Sequence, residues 1–167
     1  RLNDLLGRVM EARKHLSKGP SLFLKIAPDL CLEELAGIAE VALLHSVDAI
    51  IATNTTLDRP ELYSSDRTQA GGLSGRPLFD KSTRVLAQLS AMLKGQIPLI
   101  GVGGISNALD AYTKICAGAT AVQLYTAFTF EGFSLLGKIA SGLDEQLAKE
   151  GFENVCDAVG SKTDTWL

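Results

Sequence analysis

The 167-residue sequence has few of the features that mark metal-binding, membrane-spanning or secreted proteins. Its three cysteines, Cys31, Cys116 and Cys156, form neither a CxxC pair nor a Cys/His cluster, so no metal site is expected. An odd number of widely spaced cysteines predicts free thiols in a reducing compartment. No apolar run reaches the roughly 20 residues of a membrane span, and no signal-peptide pattern follows Arg1. The net charge of −3 argues against a general nucleic-acid-binding protein.

Sets of residues for hydrolytic catalysis are also missing. Neither a Ser/His/Asp set nor a pair of carboxylates can be assembled, and both histidines, His15 and His45, fall on predicted helices and are expected at the surface. The sequence opens on Arg1 in the middle of a helical pattern, without a Met, and we expect that it lacks its native start. A hydrophobic fraction of 46% without repeats or linkers predicts a single domain fragment, residues 1–167, with its own core.

What the sequence does contain is a regular alternation of helical and strand patterns. Apolar residues at helical spacing predict an opening helix, which ends at Gly19-Pro20. Four short apolar runs predict strands, each followed by a helical pattern; the runs are residues 21–26, 48–52, 98–102 and 119–124. This alternation predicts a parallel sheet with right-handed crossovers. Four strand–helix units cannot close an eight-stranded barrel, and an open sheet of this size would need cover at both edges.

The start of the second helix carries an incomplete capping pattern. Glu34 lies where a capping box needs it, but Cys31 is a poor N-cap residue. Asp29 is therefore the predicted alternative cap.

Polar or glycine-rich groups lie at the end of, or directly after, all four predicted strands. In chain order they are Lys25, Thr53-Asn54-Thr55-Thr56, Gly103-Gly104 and Tyr125-Thr126. The carboxyl ends of parallel strands lie on one rim, where α/β proteins build their active sites, so these groups are expected to meet. The polar loop 53–75 is longer than ordinary connections and is therefore expected to have a function.

The groups after the first two strands allow both a structural and a functional interpretation. Lys25 is either a strand-end lysine that reaches water or a positive charge beside a cofactor ring or an oxyanion. Thr53, Asn54 and Thr55 form either a hydrogen-bonded turn or a site for a planar heterocycle, because they offer both donors and acceptors.

Two glycine-rich segments can present backbone N–H groups to an anion. Residues 71–75 are either a flexible loop or such a segment. Gly103-Gly104 is either a tight turn or, with Ser106-Asn107 at a predicted helix start, a site with free N–H groups and a positive helix end. Phosphate sites of this kind follow the last two strands of many (β/α)8 barrels. The pattern predicts the phosphate- or nucleotide-binding half of such a barrel.

Taken together, these segments closely resemble the C-terminal half of the dihydroorotate dehydrogenase family, in its membrane-associated, quinone-using class. The matching stretches are residues 24–30, 52–56, 71–75, 100–104 and 122–126, and residues 151–152 and 157–160 resemble the family's C-terminal tail. The resemblance covers nearly the whole chain. It implies an α/β fold made of the C-terminal half, about four βα units, of a (β/α)8 TIM barrel.

The resemblance also implies a cofactor, a substrate and a set of site residues. The family uses FMN to oxidise dihydroorotate to orotate in pyrimidine synthesis and passes the electrons to a quinone. A lysine at the position of Lys25 would stabilise the anionic reduced flavin. The implied substrate-binding residues are Asn54, Thr55 and Ser74. The implied FMN-binding residues are Lys25, Thr53, Gly75, Gly103, Gly104, Tyr125 and Thr126.

Several parts of such an enzyme are expected outside this sequence. The resemblance places the catalytic base, a serine in this class, and the helical segment that admits ubiquinone in an N-terminal half. We expect that half as a partner of this chain, as the source of membrane association, and as a requirement for turnover. Quinone use implies a mitochondrial inner membrane or, alternatively, a bacterial cytoplasmic membrane.

Two other functions stay open at the level of sequence. The chain could belong to another flavin barrel, such as a dihydropyrimidine or dihydrouridine reductase, although Asn54-Thr55 favours a carboxylated pyrimidine. It could also be a non-catalytic binding remnant.

Overall fold

The computed structural model describes residues 1–60 and 62–167 and confirms the predicted alternation of strands and helices. An opening helix is followed by four strands, and helices lie between them and after the last. The strands are β1 (Phe23–Ile26), β2 (Ala49–Ala52), β3 (Leu99–Val102) and β4 (Ala121–Gln123). The helices are α1 (Leu2–Lys14), α2 (Leu32–His45), α3 (Phe79–Leu93), α4 (Ala108–Cys116), α5 (Thr126–Glu131), α6 (Ser134–Glu150) and α7 (Val155–Ala158).

The four strands form one parallel sheet in the order β1-β2-β3-β4. The register places Lys25 opposite Ile51, and Ile51 opposite Ile100. Spatial order equals chain order, so the sheet has no point at which its strand order reverses. Right-handed crossovers that all run in one direction place their helices on one face of the sheet, as in a barrel.

The burial of the strand residues shows which face the helices cover. Ile50, Ala52 and Leu99 are almost completely buried in the main core, together with the apolar faces of α2 and α3. On the opposite face Lys25 is exposed and Phe23 retains 48% of its accessible surface. The described residues thus build a two-layer structure with one covered and one open sheet face.

Helix α3 illustrates how sequence spacing creates this core. Leu86, Leu89 and Leu93 recur at intervals of three and four residues, so they share one side of the helix, and each is fully buried. Burial of such a leucine contributes about 1.5–3 kcal/mol relative to its exposure. Further along the chain α4 packs on α6, where Ile115 and Leu147 belong to a second cluster.

The predicted cap of α2 was wrong. Cys31 is the N-cap residue, and its backbone N–H donates to Glu34 Oε2 at 3.0 Å, so the Glu34 half of the predicted capping box is confirmed. Asp29 does not cap the helix because its carboxylate is engaged elsewhere, where it accepts from the backbone N–H of Leu57 at 2.8 Å and from Lys81.

The prediction of free thiols agrees with the structure, and the two histidines lie at the end of α1 and in the last turn of α2. All three thiols are unpaired, and of these only Cys116 is buried. His15 is exposed, and His45 lies within 2.6 Å of Asn3 Oδ1 across the α1–α2 contact. In the part of the chain that the structure describes, no helix is both long and apolar enough to cross a bilayer.

Candidate functional site

A cavity of about 650 Å³ lies at the carboxyl ends of the four strands. Its volume falls in the range of sites for small organic ligands. All of the site residues predicted from the sequence line this one cavity: Lys25, Thr53, Asn54, Thr55, Ser74, Gly75, Gly103, Gly104, Tyr125 and Thr126. The sequence analysis therefore located the rim correctly, although the ligand and the role of each residue are separate questions.

The end of β2 is tied to both neighbouring strands. The Thr53 N–H donates to the carbonyl of Val102 at 3.1 Å, and the Asn54 N–H donates to the carbonyl of Ile26 at 2.7 Å. The Ala52–Thr53 peptide bond is cis. Thr53 is buried, whereas the side chains of Asn54 and Thr55 are exposed at the cavity. The end of β2, fixed by these two backbone hydrogen bonds, thus presents the side chains of Asn54 and Thr55 to the cavity.

The long loop after β2 is held in place rather than free. Thr56 and Leu73 exchange backbone hydrogen bonds of 3.1 and 2.8 Å, which joins the two limbs of the loop. The Arg59 guanidinium donates to the carbonyls of Gln69 and Gly71 on the far limb, and to carbonyls on its own limb. A Cβ on Gly72 would lie 1.8 Å from Thr55 Oγ1, so only glycine allows this approach.

A charged cluster anchors the same loop to α3. Lys81 on α3 contacts the carboxylates of Asp29 and Asp58, and the Thr56 hydroxyl also donates to Asp29. Partial burial opposes ionisation of Asp29, but hydrogen bonds from Lys81, Thr56 and the Leu57 N–H outweigh it and hold the pKa of Asp29 below its usual value. Burial likewise opposes the charge of Lys81, yet its two carboxylate partners raise the pKa of the amine.

The turn after β3 brings backbone unusually close to α3. Gly103 and Gly104 have φ values of 113° and 77°, which L-residues with a Cβ rarely adopt. A Cβ on Gly104 would lie 2.5 Å from the Cβ and 2.6 Å from the Cα of Phe79. The Gly104 N–H has no acceptor among the residues that the structure describes, although it borders the cavity. This free donor fits an anion.

The following helix start offers fewer free groups than its sequence suggested. Ser106 and Asn107 do precede α4, but their polar groups are used within the helix start. Asp110 Oδ2 accepts from both the backbone N–H and the hydroxyl of Ser106 at 2.8 Å, and Asn107 Oδ1 accepts from the Asp110 N–H at 2.9 Å. The negative Asp110 thus already occupies the positive end of α4.

The end of β4 meets the far end of the long loop. Thr126 Oγ1 donates to Ser74 Oγ at 3.0 Å, and a Cβ on Gly75 would lie 3.1 Å from Thr126 Cγ2. Tyr125 is 79% exposed beside them. The loop limb around Ser74 and the start of α5 therefore form one continuous wall of the cavity.

Lys25 supplies the cavity with a cation from the open face of the sheet. Its side chain is exposed and lines the cavity, and within the described ranges no carboxylate lies within ion-pairing distance of it. It remains available to an anionic or electron-rich ligand.

Sequence reasoning missed several residues of this region. Arg76, Phe130 and Glu131 also line the cavity, and Arg76 could have been found because it follows directly on the glycine-rich segment. Ser82 and Lys114, which lie behind the Gly103-Gly104 turn, fall within helical patterns. Their only signal was a polar residue on an otherwise apolar helix face. Across residues 1–60 and 62–167, no three His, Cys, Asp or Glu side chains are grouped as a metal site would require.

Comparison with known proteins assigns this arrangement to a family. The family model described as dihydroorotate dehydrogenase matches residues 2–147.

The chain belongs to the dihydroorotate dehydrogenase family.

Named relatives support the assignment at high identity. The chain is 51% identical to a dihydroorotate dehydrogenase (quinone) of Cereibacter sphaeroides, over 100% of this chain and 50% of the relative. It is 46% identical to the mitochondrial dihydroorotate dehydrogenase (quinone) of Oryza sativa subsp. japonica, over 96% of this chain and 35% of the relative. The chain thus spans about half or less of the length of these relatives.

Solved structures of the family share the fold. The ligand-free dihydroorotate dehydrogenase of Eimeria tenella superposes with a TM-score of 0.92 at 39% identity, over 96% of this chain and 49% of that one. The same enzyme in complex with ferulenol gives a TM-score of 0.91 at 38% identity, over 96% and 47%. The four-stranded sheet and its helices therefore correspond to about half of a dihydroorotate dehydrogenase TIM barrel.

Proposed function

We propose that this chain supplies the FMN site and part of the orotate site of a quinone-dependent dihydroorotate dehydrogenase. The enzyme would oxidise dihydroorotate to orotate in pyrimidine biosynthesis. The observation that carries the proposal is the convergence of all the residues expected to bind FMN and orotate on one cavity at the strand ends. Membership in the dihydroorotate dehydrogenase family supports it.

One end of the cavity suits a flavin phosphate. Gly103 and Gly104 let the turn after β3 lie directly against α3, where a Cβ at either position would clash. The Gly104 N–H lacks a protein acceptor among the described residues. The Thr126 hydroxyl lies on the neighbouring wall. We therefore assign the phosphate to the end formed by the β3 and β4 termini, with Tyr125 beside it.

The opposite end of the cavity suits the flavin ring and the substrate. When bound, FMN supplies the electron acceptor for dihydroorotate oxidation. Lys25 places its ammonium where it favours added negative charge, and Thr53 and Gly75 bound the same end. Asn54, Thr55 and Ser74 offer N–H and hydroxyl groups that match the amide edges and carboxylate of orotate.

The remaining functions are assigned to the part of the enzyme that this chain does not cover. We place there the catalytic base, a serine, together with the ubiquinone site and the contact with the membrane. Both plant mitochondrial and bacterial relatives carry the quinone designation. The proposed location is accordingly the mitochondrial inner membrane, or the cytoplasmic membrane if the source is bacterial.

The test uses a joined enzyme, in which these 167 residues are fused to the portion of the Cereibacter sphaeroides relative that they do not match. It should bind one FMN and reduce it with dihydroorotate, and orotate should compete far better than uracil. Lys25→Met should slow flavin reduction at least about tenfold, as expected for loss of one charge at a reacting centre.

Lys138→Met, on the exposed surface of α6, is the matched control and should leave the reduction rate unchanged. Absence of bound flavin in the joined enzyme would contradict the proposed cofactor. Equal competition by orotate and uracil would instead favour another flavin-dependent pyrimidine reductase.

A further inference from the structure

Lys114 is a fully buried lysine on α4 that the proposed site does not use. Its ammonium donates to Ser82 Oγ at 2.6 Å and approaches the carbonyl of Phe79 at 3.4 Å. It also lies 4.9 Å from the centre of the Phe79 ring. Among the described residues no carboxylate forms an ion pair with it. A buried charge without a counter-ion is costly, so its presence at this position calls for a compensating partner.

Ser82 connects Lys114 to the glycine turn at the cavity. Its hydroxyl lies 3.2 Å from the Gly103 carbonyl and 3.0 Å from the Phe79 carbonyl, and it has one proton to donate. The Phe79 carbonyl already accepts from Thr83 Oγ1 at 2.7 Å. The Gly103 carbonyl has no other donor in the described part of the chain, so it is the group that depends on Ser82.

The Gly103 carbonyl and the Gly104 N–H belong to one trans peptide unit and therefore point in opposite directions. Ser82 lies on the carbonyl side, within α3, and Gly104 borders the cavity. A hydrogen bond to the carbonyl polarises the peptide and makes its N–H a stronger donor. Lys114, Ser82 and this peptide thus form a chain of donors that ends at the cavity.

The electrostatic surroundings of Lys114 favour a response to an anion. Burial lowers the pKa of the amine to about 7, against the opposing effect of Asp110 on α4 and Asp80 on α3. The residues of β3 beneath it are uncharged. A nearby phosphate would favour the protonated amine, so anion binding and proton uptake would be linked.

We propose that Lys114, acting through Ser82 and the Gly103–Gly104 peptide, is a positioning residue that strengthens binding of the phosphate monoester of the cofactor. The inference rests on the proposed function and deepens it. It assigns the buried lysine a role in affinity for the phosphate group, and no role in recognition of the flavin ring.

The experiment compares FMN with riboflavin, which lacks the phosphate, by fluorescence titration of the apo form of the joined enzyme. Lys114→Met, which removes the charge at similar volume, should weaken FMN binding about tenfold, near the contribution of one hydrogen bond to a charged group. Riboflavin binding should be unchanged. Ser82→Ala keeps the lysine but breaks the chain, and should weaken FMN binding in the same direction.

The pH dependence gives a second readout. The second ionisation of a phosphate monoester has a pKa near 6 and is nearly complete at about pH 7.5, so the charge of the phosphate is almost constant between about pH 7.5 and about pH 9. In this interval FMN affinity of the wild type should fall by up to about tenfold per pH unit as Lys114 loses its proton. The affinity of Lys114→Met should be flat.

The outcomes separate the two proposals. If the wild type binds FMN no better than riboflavin, the phosphate site itself is refuted, and this inference falls with it. If the wild type prefers FMN but Lys114→Met weakens both ligands equally or neither, only the role of Lys114 is refuted. If Lys114→Met does not fold, Ser82→Ala provides the test. Unchanged FMN binding by that variant would overturn the proposed chain of hydrogen bonds.

Discussion

Gly104 and Gly151 adopt similar backbone conformations in different surroundings. Their φ values are 77° and 82°, but a Cβ would collide with Phe79 at Gly104 and would meet nothing within 4 Å at Gly151. An alanine at a positive φ costs about 1–2 kcal/mol in backbone strain, and overpacking adds about 1–3 kcal/mol. A substitution at Gly151 therefore measures backbone strain alone, and one at Gly104 measures strain together with the steric clash against α3.

Gly151→Ala should lower the free energy of unfolding by about 1 kcal/mol and leave FMN affinity unchanged. Gly104→Ala should lower it by about 2–5 kcal/mol and weaken FMN binding, because α3 must move away from the turn. Urea unfolding and flavin titration of the joined enzyme measure both effects. Equal effects of the two substitutions would show that the turn does not need close contact with α3.

At the residue scale, position along the chain predicted which residues line the cavity, but not which residues lie behind them and hold them in place. Lys25, Asn54 and Thr126 were predictable because each lies at or just after the end of an apolar run, and all strand ends of a parallel sheet share one side. Lys114 and Ser82 were not, because their proximity depends on how α3 packs against α4, which spacing within either helix does not encode. The sequence analysis also did not anticipate that Asp110, in the first turn of α4, accepts hydrogen bonds from Ser106.

The loop between β2 and α3 is the element that the sequence described least well. Its length predicted a function, but its internal order arises from contacts between distant residues, such as Thr56 with Leu73 and Lys81 with Asp29. Helix α5 was also not predicted, because six residues are too few to show helical periodicity. The strands were predicted correctly in number and order, with ends one to two residues too long.

Lys81→Met should loosen the loop that presents Asn54 and Thr55. We expect orotate affinity to fall about fivefold and FMN affinity to change less, with a loss of about 1 kcal/mol in unfolding free energy, the upper end for partly exposed ion pairs. Lys14→Met, which removes an exposed pair with Glu11 on α1, is the control and should leave orotate binding unchanged.

The stability difference between wild type and Lys81→Met should depend on pH with a defined sign. The pKa of Asp29 is lowered in the folded state, so its contribution is present above the usual value of 3.8 and is lost as the pH falls through the lowered value. Denaturation from pH 7 to pH 2 measures this. A difference that grows on acidification would contradict the assigned ion pairs.

At the scale of the whole molecule, the sequential strand order decides which face of the sheet the helices cover. The helices lie on one face of the sheet, and Lys25 and part of Phe23 are exposed on the other face. The alternation of four strand–helix units predicted a parallel sheet, and the glycine-rich strand ends and the family resemblance predicted half of a barrel. The sequential strand order itself became known only from the structure. The sequence of these 167 residues does not predict what lies against the open face.

The 167 residues alone should not turn over dihydroorotate when FMN and a quinone are supplied, because the base and quinone site are assigned to the uncovered part. The joined enzyme should reduce quinone under the same conditions. The measurement is dihydroorotate-dependent reduction of a quinone-coupled dye. Turnover by the chain alone would place a competent base within it and overturn the division of roles.

The anchored loop also has a consequence for proteolysis. The loop contains Arg59 and Arg67, and Arg76 follows directly after it. Trypsin does not cut before proline, and Pro60 and Pro77 follow the first and the last of them. The bond after Arg67, in the exposed 3-10 turn Ser65–Thr68, is thus the one tryptic site in the segment. Limited digestion followed by mass spectrometry therefore reports on the conformation of the loop between β2 and α3 at a single bond, without a label or an introduced residue.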